Sequence, residues 1–593
     1  MSRLQEDLLK KHFDKLIGSH RVLLFAACTF LAFTPSLAAQ TRETLEFVGT
    51  SQLDPVASTG IPSDDLHVST HPESDAELAG IHKGPGSASI PVIAGPQRIA
   101  PAANITLALQ GLTHRDQRFA GTGVYANTQF STEPPDEGLA VGNGFVLQTV
   151  NAALAVYDAN TGALRQGPTA LNQFFHLKPE ISRSTGVFGD FTSDPRAYYD
   201  AQLQRWLVSV TAIATDPQTG NFLAPTHLLI AVSETSDPTA GWKIYSIDTT
   251  NDGSNGCPCF GDQPLVGADA HGFFISANAF SLKEGFAGVQ IYAFSKQLLT
   301  QGAMPPVVHW NGPRLPGGFA FSLQPAVRTA FESDDAAHGV EYLVAVADIR
   351  NMLDRRVVVW AVSNTASLAD PSPTLKLRSA IVGSEPFGVP PDAAQKSGDT
   401  ELGSLVGEKQ RFIATNDQRM QQAVFADGKL WSALTTIVAI GKDPNPHAGI
   451  AYFVLRPSVG SDGALKVEMD QQGYVAVANA DLFYPALAVG AGGNGAIAFT
   501  LSGSDYFPSS GFVPLTSTGA GDVQIIAAGT APHDGFSGYG YFGGGGSGRT
   551  GDYSAAAVDE HGAIWIASEY IPSGPRTLLA NWGTFIAQIA VGK

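Results

Sequence analysis

The amino-acid sequence predicts an all-β protein made by repeating one strand unit, and three observations predict it. First, 64 glycines and 37 prolines break the 593-residue chain into short apolar runs rich in Val, Ile, Tyr and Phe, which suits strands and tight turns better than long helices. Second, seven stretches share one order: a polar start often carrying Asp or Pro, a short strand of small residues, a turn with Asp, Asn or Gly, and a strand led by a large residue. Third, those first strands (GLAV, PLVGA, PALAV, SAAAV) carry side chains small enough to crowd around a common axis.

The chain opens with a segment that reads as an export signal over residues 1–39. Lys10, Lys11, Lys15 and Arg21 precede the apolar run Val22–Phe33, and Ser36-Leu37-Ala38-Ala39 offers a small-residue cleavage site before Gln40. The run is too short to span a bilayer securely. A retained membrane anchor and a lipid-modified Cys28 are the alternatives. No later segment reads as transmembrane, so the expected location is secreted, periplasmic or cell-surface.

Removing the five Lys/Arg and three Asp/Glu of that segment from totals of 36 and 54 leaves a formal charge of −20. Nucleic acid is a poor partner for such a surface, because phosphate binding needs clustered cations. Residues 40–100, rich in Ser, Pro, Gly and Asp, read as a disordered, flexible leader, with order beginning near Ile105.

The seven repeats begin at Pro134, Ser193, Gly261, Leu323, Asn416, Phe483 and Gly551, with turns near residues 142, 200, 269, 335, 427, 491 and 559. Further apolar segments follow most of them, among them AALAVYD at Ala152, VQIYAF at Val289 and VVVWAVS at Val357. Each unit thus supplies about four strands, the content of one propeller blade. The reading is a β-propeller over residues 101–593, with seven blades and with six or eight as alternatives. GTFIAQI near the C-terminus would close the ring against early sequence. A β-sandwich array is the competing architecture.

The phrases PPDEGLAVGNG, VNAALAVYDANTGAL, DPRAYYDAQLQRWLVS, IAVSETSDPTAGWKIYSID, CFGDQPLVGADAHGFFISANAF and ANWGTFI resemble a set of bacterial secreted β-propeller proteins, largely uncharacterised, over roughly residues 105–590. The resemblance implies a secreted propeller and brings no activity with it. Any likeness to sialidase or WD40 propellers is distant. Asp559–Trp565 approximates the sialidase S-x-D-x-G-x-x-W turn with one residue too many, and Arg98-Ile99-Ala100-Pro101 only echoes its arginine-led start.

Five units carry an acidic residue where the first strand begins: Asp136, Asp194, Asp262, Asp417 and Asp552. On one face of a propeller they would converge at the mouth of the central channel. Three roles stay open for them: capping their own turns, binding Ca²⁺ through oxygen ligands, or acid–base chemistry, with Asp262, Asp552 and Asp194 as catalytic candidates. Asp248-Thr249-Thr250-Asn251-Asp252-Gly253 opens like a calcium loop, but Cys259 stands at its twelfth position. Cys257 and Cys259 are candidates for a local disulfide; a metal site from that pair lacks further ligands.

Other signatures are weak. GFSGY at Gly535 misses the nucleophile pattern G-x-S-x-G, and His271 and His561 fall in turns. Trp206, Trp242, Trp431 and Trp565 recur at strand positions that suit packing between blades, with a sugar-stacking platform as the alternative, and Trp582 suits ring closure. GGGGSGRT, Gly543 to Thr550, fits the phosphate-loop spacing except that Arg549 stands for lysine; a repeat strand follows where a helix is needed, so no nucleotide is expected. The sequence therefore points to a monomeric binding or scaffolding protein for an extracellular glycan or protein. The rival is a carbohydrate-active hydrolase or lyase using the channel-mouth Asp carboxylates.

Overall fold

A computed structural model describes residues 40–55, 89–251, 256–283, 285–329, 339–490 and 492–590. The expected signal segment and the turn near residue 335 lie outside the described residues. The chain from Gln40 onward is a β-propeller: consecutive strands fold into antiparallel meanders of about four, seven among the described residues. Their first strands are Gly138–Gly142, Phe191–Asp200, Cys259–Ala268, Gln324–Arg328, Met420–Ala426, Asp481–Val489 and Ala555–Val558. Each lies beside the next, and the seventh lies beside the first, so the first strands form a closed ring.

Turn chemistry begins the first and fifth meanders. Asn143-Gly144 and Asp427-Gly428 both hold positive φ at two consecutive residues, 47° and 80° in one and 54° and 66° in the other. Asn-Gly and Asp-Gly pairs adopt this two-residue hairpin geometry because its twist matches that of the strands. The ring closes as expected through Gly583–Ile589, which pairs antiparallel with Ile105–Thr113 from the start of the propeller.

Of the expected flexible leader, residues 56–88 lie outside the described residues, and parts of the remainder pair with the propeller. Gln40–Thr44 pairs antiparallel with Pro306–Asn311 as an outer strand of the third meander. Glu46–Ser51 pairs with Trp242–Asp248 at the edge of the second. Leu45 between them is fully buried, so this stretch is ordered structure. Val92–Ile93 and Ile99–Ala100 also add short parallel pairings to two outer regions. The polar composition of this stretch hid the strands because an edge strand needs only one buried face and the partner's hydrogen bonds.

The core is distributed between adjacent meanders. Trp206 and Trp242 pack in one such layer, Trp431 in another, and Trp565 with Trp582 in the layer at the ring closure. All five are buried, which excludes the sugar-stacking platform. Cys257 and Cys259 are joined by a disulfide.

Candidate functional site

The first strands do not start straight. A bulge interrupts the second meander between Ser193 and Arg196, the third between Asp262 and Leu265, and the sixth between Phe483 and Ala486. Each bulge contains an Xaa-Pro pair whose first residue has positive φ: Asp194 at 56°, Gln263 at 47° and Tyr484 at 54°. Proline lacks the N–H that a regular ladder requires, so it is tolerated where a bulge breaks the ladder. The bulge residue turns its own N–H toward the neighbouring meander. Asp194 N donates to Asn151 Oδ1 at 2.9 Å, Gln263 N to Asp194 Oδ2 at 3.2 Å, and Tyr484 N to Thr435 Oγ1 at 3.0 Å.

This clasp accounts for much of the acidic pattern. Asp136 Oδ1 accepts from Asp552 N at 3.0 Å and its Oδ2 from Asn151 Nδ2 at 2.7 Å. Asp194 Oδ2 accepts from Gln263 N at 3.2 Å. These two carboxylates join neighbouring meanders. Asp417 does cap its own turn, accepting from Arg419 N at 2.9 Å, and the Arg419 guanidinium grips the same carboxylate through Nε and Nη2, each at 2.8 Å. Arg549 Nη2 holds Asp552 at 2.7 Å. Asp262 is half-buried and, with Asp417 and Asp552, adds to the field that holds Arg419 charged.

Among the described residues, no three His, Cys, Asp or Glu side chains stand together in a group able to hold a metal ion. In the proposed calcium loop, Asp248 Oδ1 accepts from Thr250 N at 2.8 Å, and Asp252 and Gly253 lie outside the described residues. His271 and His561 occupy turns capped by Asp269 and Asp559. Arg98, the echo of a carboxylate-gripping arginine, is an exposed partner of Asp522.

What the ring does enclose is a channel. Toward the ends of the first strands it widens to a cavity of about 510 Å³, within the range of small-molecule sites. Its wall is Leu139, Val141, Ala197, Val424, Ala488 and Ala557 with Asp200, Asp269, Lys296, Arg328 and Glu560 among the polar groups. Lys296 Nζ meets Asp200 Oδ2 at 2.7 Å, and both are buried.

Toward the beginnings of the same strands the channel narrows to a chamber of about 60 Å³ bounded by Glu137, Arg196, Gln324, Gln421 and Tyr553. Glu137 is 1% exposed, and among the described residues neither carboxyl oxygen has a hydrogen-bond partner. Burial pushes its carboxyl well above the ordinary range. The Arg196 guanidinium lies 3.2 Å from the centroid of the Tyr553 ring and donates from Nε to Pro264 O.

A second buried group sits behind the chamber. Glu133 accepts from Ser537 N at 3.0 Å and faces His533 Nε2 at 3.5 Å, while His533 Nδ1 meets Gln410 Nε2 at 2.7 Å. Burial pushes Glu133 up to about 8 and His533 down to about 4, so both are neutral at pH 7. Glu569 accepts from Gly551 N at 2.6 Å and is raised by burial, and further by Glu133, Glu137 and Asp552. The glycine-rich loop that includes GGGGSGRT closes over this group by fit: a Cβ at Gly535 would stand 1.8 Å from Glu133 Oε1, and one at Gly548 1.9 Å from Gln410 Nε2.

Of the acidic residues at the strand starts, none of Asp136, Asp194, Asp262, Asp417 and Asp552 lines the narrow chamber; Glu137 does. Glu137 adjoins Asp136 in PPDEG; its place directly before a strand of small residues was the available signal. Nothing local marks Gln324, Gln421 or Glu569.

No family model matches the sequence, and no curated protein does. Among solved structures, a protein of unknown function from Dyadobacter fermentans is 10% identical over 67% of this chain and 94% of its own, with a TM-score of 0.32. The N-terminal domain of Nup159 is 7% identical over 85% of this chain and 100% of its own, at 0.30. An α-L-arabinofuranosidase from Fusarium graminearum is 11% identical over 66% and 92%, at 0.28. Likenesses this distant say nothing about activity. The fold and the site define a β-propeller with a polar-ended central channel.

Proposed function

We propose that this protein is an exported, seven-bladed β-propeller that binds a ligand in its central channel, acting as a binding or scaffolding protein at the cell surface or in the surrounding medium. The observation that carries this reading is the channel itself: a cavity of about 510 Å³ walled by small side chains together with Asp200, Asp269, Lys296, Arg328 and Glu560, leading to a narrower chamber. Export rests on residues 1–39, and the expected partners are an extracellular glycan or protein. Catalysis by Asp194, Asp262 and Asp552 is the weaker reading, because the Asp194 carboxylate already serves the clasp between meanders and the Asp552 carboxylate is held by Arg549.

Ala557 lines the wide cavity, is half-buried and packs against the core layer at the ring closure, so Ala557→Trp puts an indole at the channel wall and the variant's fold is checked by its melting curve. Glycan and protein arrays probed with the wild-type chain should yield a ligand that the folded Ala557→Trp variant no longer retains. A ligand held equally by both proteins would place binding elsewhere and refute the channel.

A further inference from the structure

Six residues line both the wide cavity and the narrow chamber and so mark the boundary between them: Leu139, Ala197, Tyr198, Val327, Gln422 and Ala556. Two of the six are bonded to each other. Gln422 Nε2 donates to Ala556 O at 2.8 Å, and Gln422 Oε1 accepts from Ala556 N at 3.2 Å. Gln422 belongs to the first strand of the fifth meander and Ala556 to that of the seventh. The first strand of the sixth, Asp481–Val489, lies between those two in the ring, so the glutamine side chain reaches past it.

The fifth meander is built differently at this point. Its ladder is interrupted for two residues between Met420 and Ala423, as the ladders of the second, third and sixth are at their own starts. In those three the second residue of the interruption is Pro195, Pro264 or Pro485, whose short ring carries no donor; in the fifth it is Gln422. A strand with an open edge presents N–H and C=O groups, and a carboxamide carries both a donor and an acceptor to match them. Two bonds to the same residue fix the Gln422 amide where a single bond would let it swing. The side chain is half-buried and stands between about 510 Å³ on one side and about 60 Å³ on the other.

We propose that Gln422, clasped to Ala556, is the floor of the ligand site: a ligand in the wide cavity ends against this side chain and is kept out of the chamber, so Gln422 limits how long a group the channel accepts. Its role in ligand choice rests on the channel being the binding site. The barrier itself is tested without a ligand.

The test uses the full chain with Cys28→Ser and a reporter thiol, Ser554→Cys. Ser554 lines the chamber and not the wide cavity, and Cys257 and Cys259 are bonded to each other. The probe is a methanethiosulfonate ethyltrimethylammonium reagent, whose rate of attachment is read by mass spectrometry. Opening the clasp costs the wild-type chain two hydrogen bonds, so Gln422→Ala should speed labelling about tenfold, and no less than about threefold. Adding Ala557→Trp at the wall of the wide cavity should take back most of that gain. A rise caused by a looser fold would survive Ala557→Trp, so the reversal identifies the route. Should Gln422→Ala fail to fold, Gln422→Met, which keeps the length and loses both bonds, decides by the same threshold. The proposal is overturned if the rise is smaller than about threefold, or if it persists with Ala557→Trp in place. An array ligand lost in Ala557→Trp, together with unchanged labelling in Gln422→Ala, keeps the channel and removes the floor; an array ligand that Ala557→Trp retains, together with the expected labelling, removes the channel as the binding site and keeps the barrier.

Discussion

Replacing Arg419 with methionine should destabilise the propeller by about 3–5 kcal/mol, the cost of leaving one member of a buried ion pair alone. Arg419 is 1% exposed, and three of its bonds are at stake: two from the guanidinium to Asp417 at 2.8 Å and one from Nη1 to Gln263 Oε1 at 2.6 Å. Phe321 lies 5.2 Å from the guanidinium and would pack against the methionine. For an ordered unit of roughly 500 residues, the usual unfolding entropy per residue gives about 1 kcal/mol for each degree, so the melting temperature should fall by about 3–5 °C at a fixed scan rate. Asp417→Leu combined with Arg419→Met should recover to within about 1–2 kcal/mol of wild type, since a buried pair replaced by packed apolar groups is often neutral. The same double variant should retain channel binding, because Asp417 does not line the channel. A melting temperature for Arg419→Met within half a degree of wild type would refute the reasoning, as would a double variant no more stable than the single one.

Gly535→Ala puts a methyl group against Glu133 and should cost about 1–3 kcal/mol, whereas Gly545→Ala, with nothing within 4 Å of its Cβ, should stay within about 0.5 kcal/mol; equal melts would contradict the fitted loop. Glu133 has its folded pKa raised to about 8 from 4.5, so its stabilising contribution is complete below pH 4.5 and is lost as pH rises toward 8. Glu133→Gln should therefore gain stability relative to wild type between pH 5 and 8 in chemical denaturation, and parallel curves would exclude a buried neutral acid. His447, hydrogen-bonded to Asp481 and Asp443 and raised to about 9, contributes stability that is full below pH 6.5 and disappears by about pH 9. His447→Gln should be less stable than wild type at pH 6 and equal to it near pH 10; a constant difference would count against the charged form. Deleting residues 1–55 uncovers the edges of two meanders and should lower the melting temperature, with an unchanged melt showing that the outer strands at Gln40–Ser51 add nothing.

The repeated hairpins were legible because each is local: Asn143-Gly144 and Asp427-Gly428 specify their turns within a few residues, and the large side chains after them, Trp431 and Trp565 among them, specify a buried face. Ring closure was legible too, as an unpaired last strand that needed a partner from the start of the propeller. The outer strands at Gln40–Ser51 were not, because their pairing partners lie about 200 and 265 residues away and supply the order that the local composition lacks. The acidic pattern at the strand starts was real, yet its role depended on direction. The bulge at Asp194 and the positive φ of 51° at Asp136 aim these carboxylates at neighbouring meanders, and the next residue, Glu137, faces the channel. By itself the sequence determined a repeated, turn-punctuated β architecture, because turns and strand patterns are set by residues close together in the chain. Only the tertiary structure decided which polar side chains meet in the chamber, because Glu137, Arg196, Gln324 and Gln421 come from four different meanders and are brought together by closure of the ring.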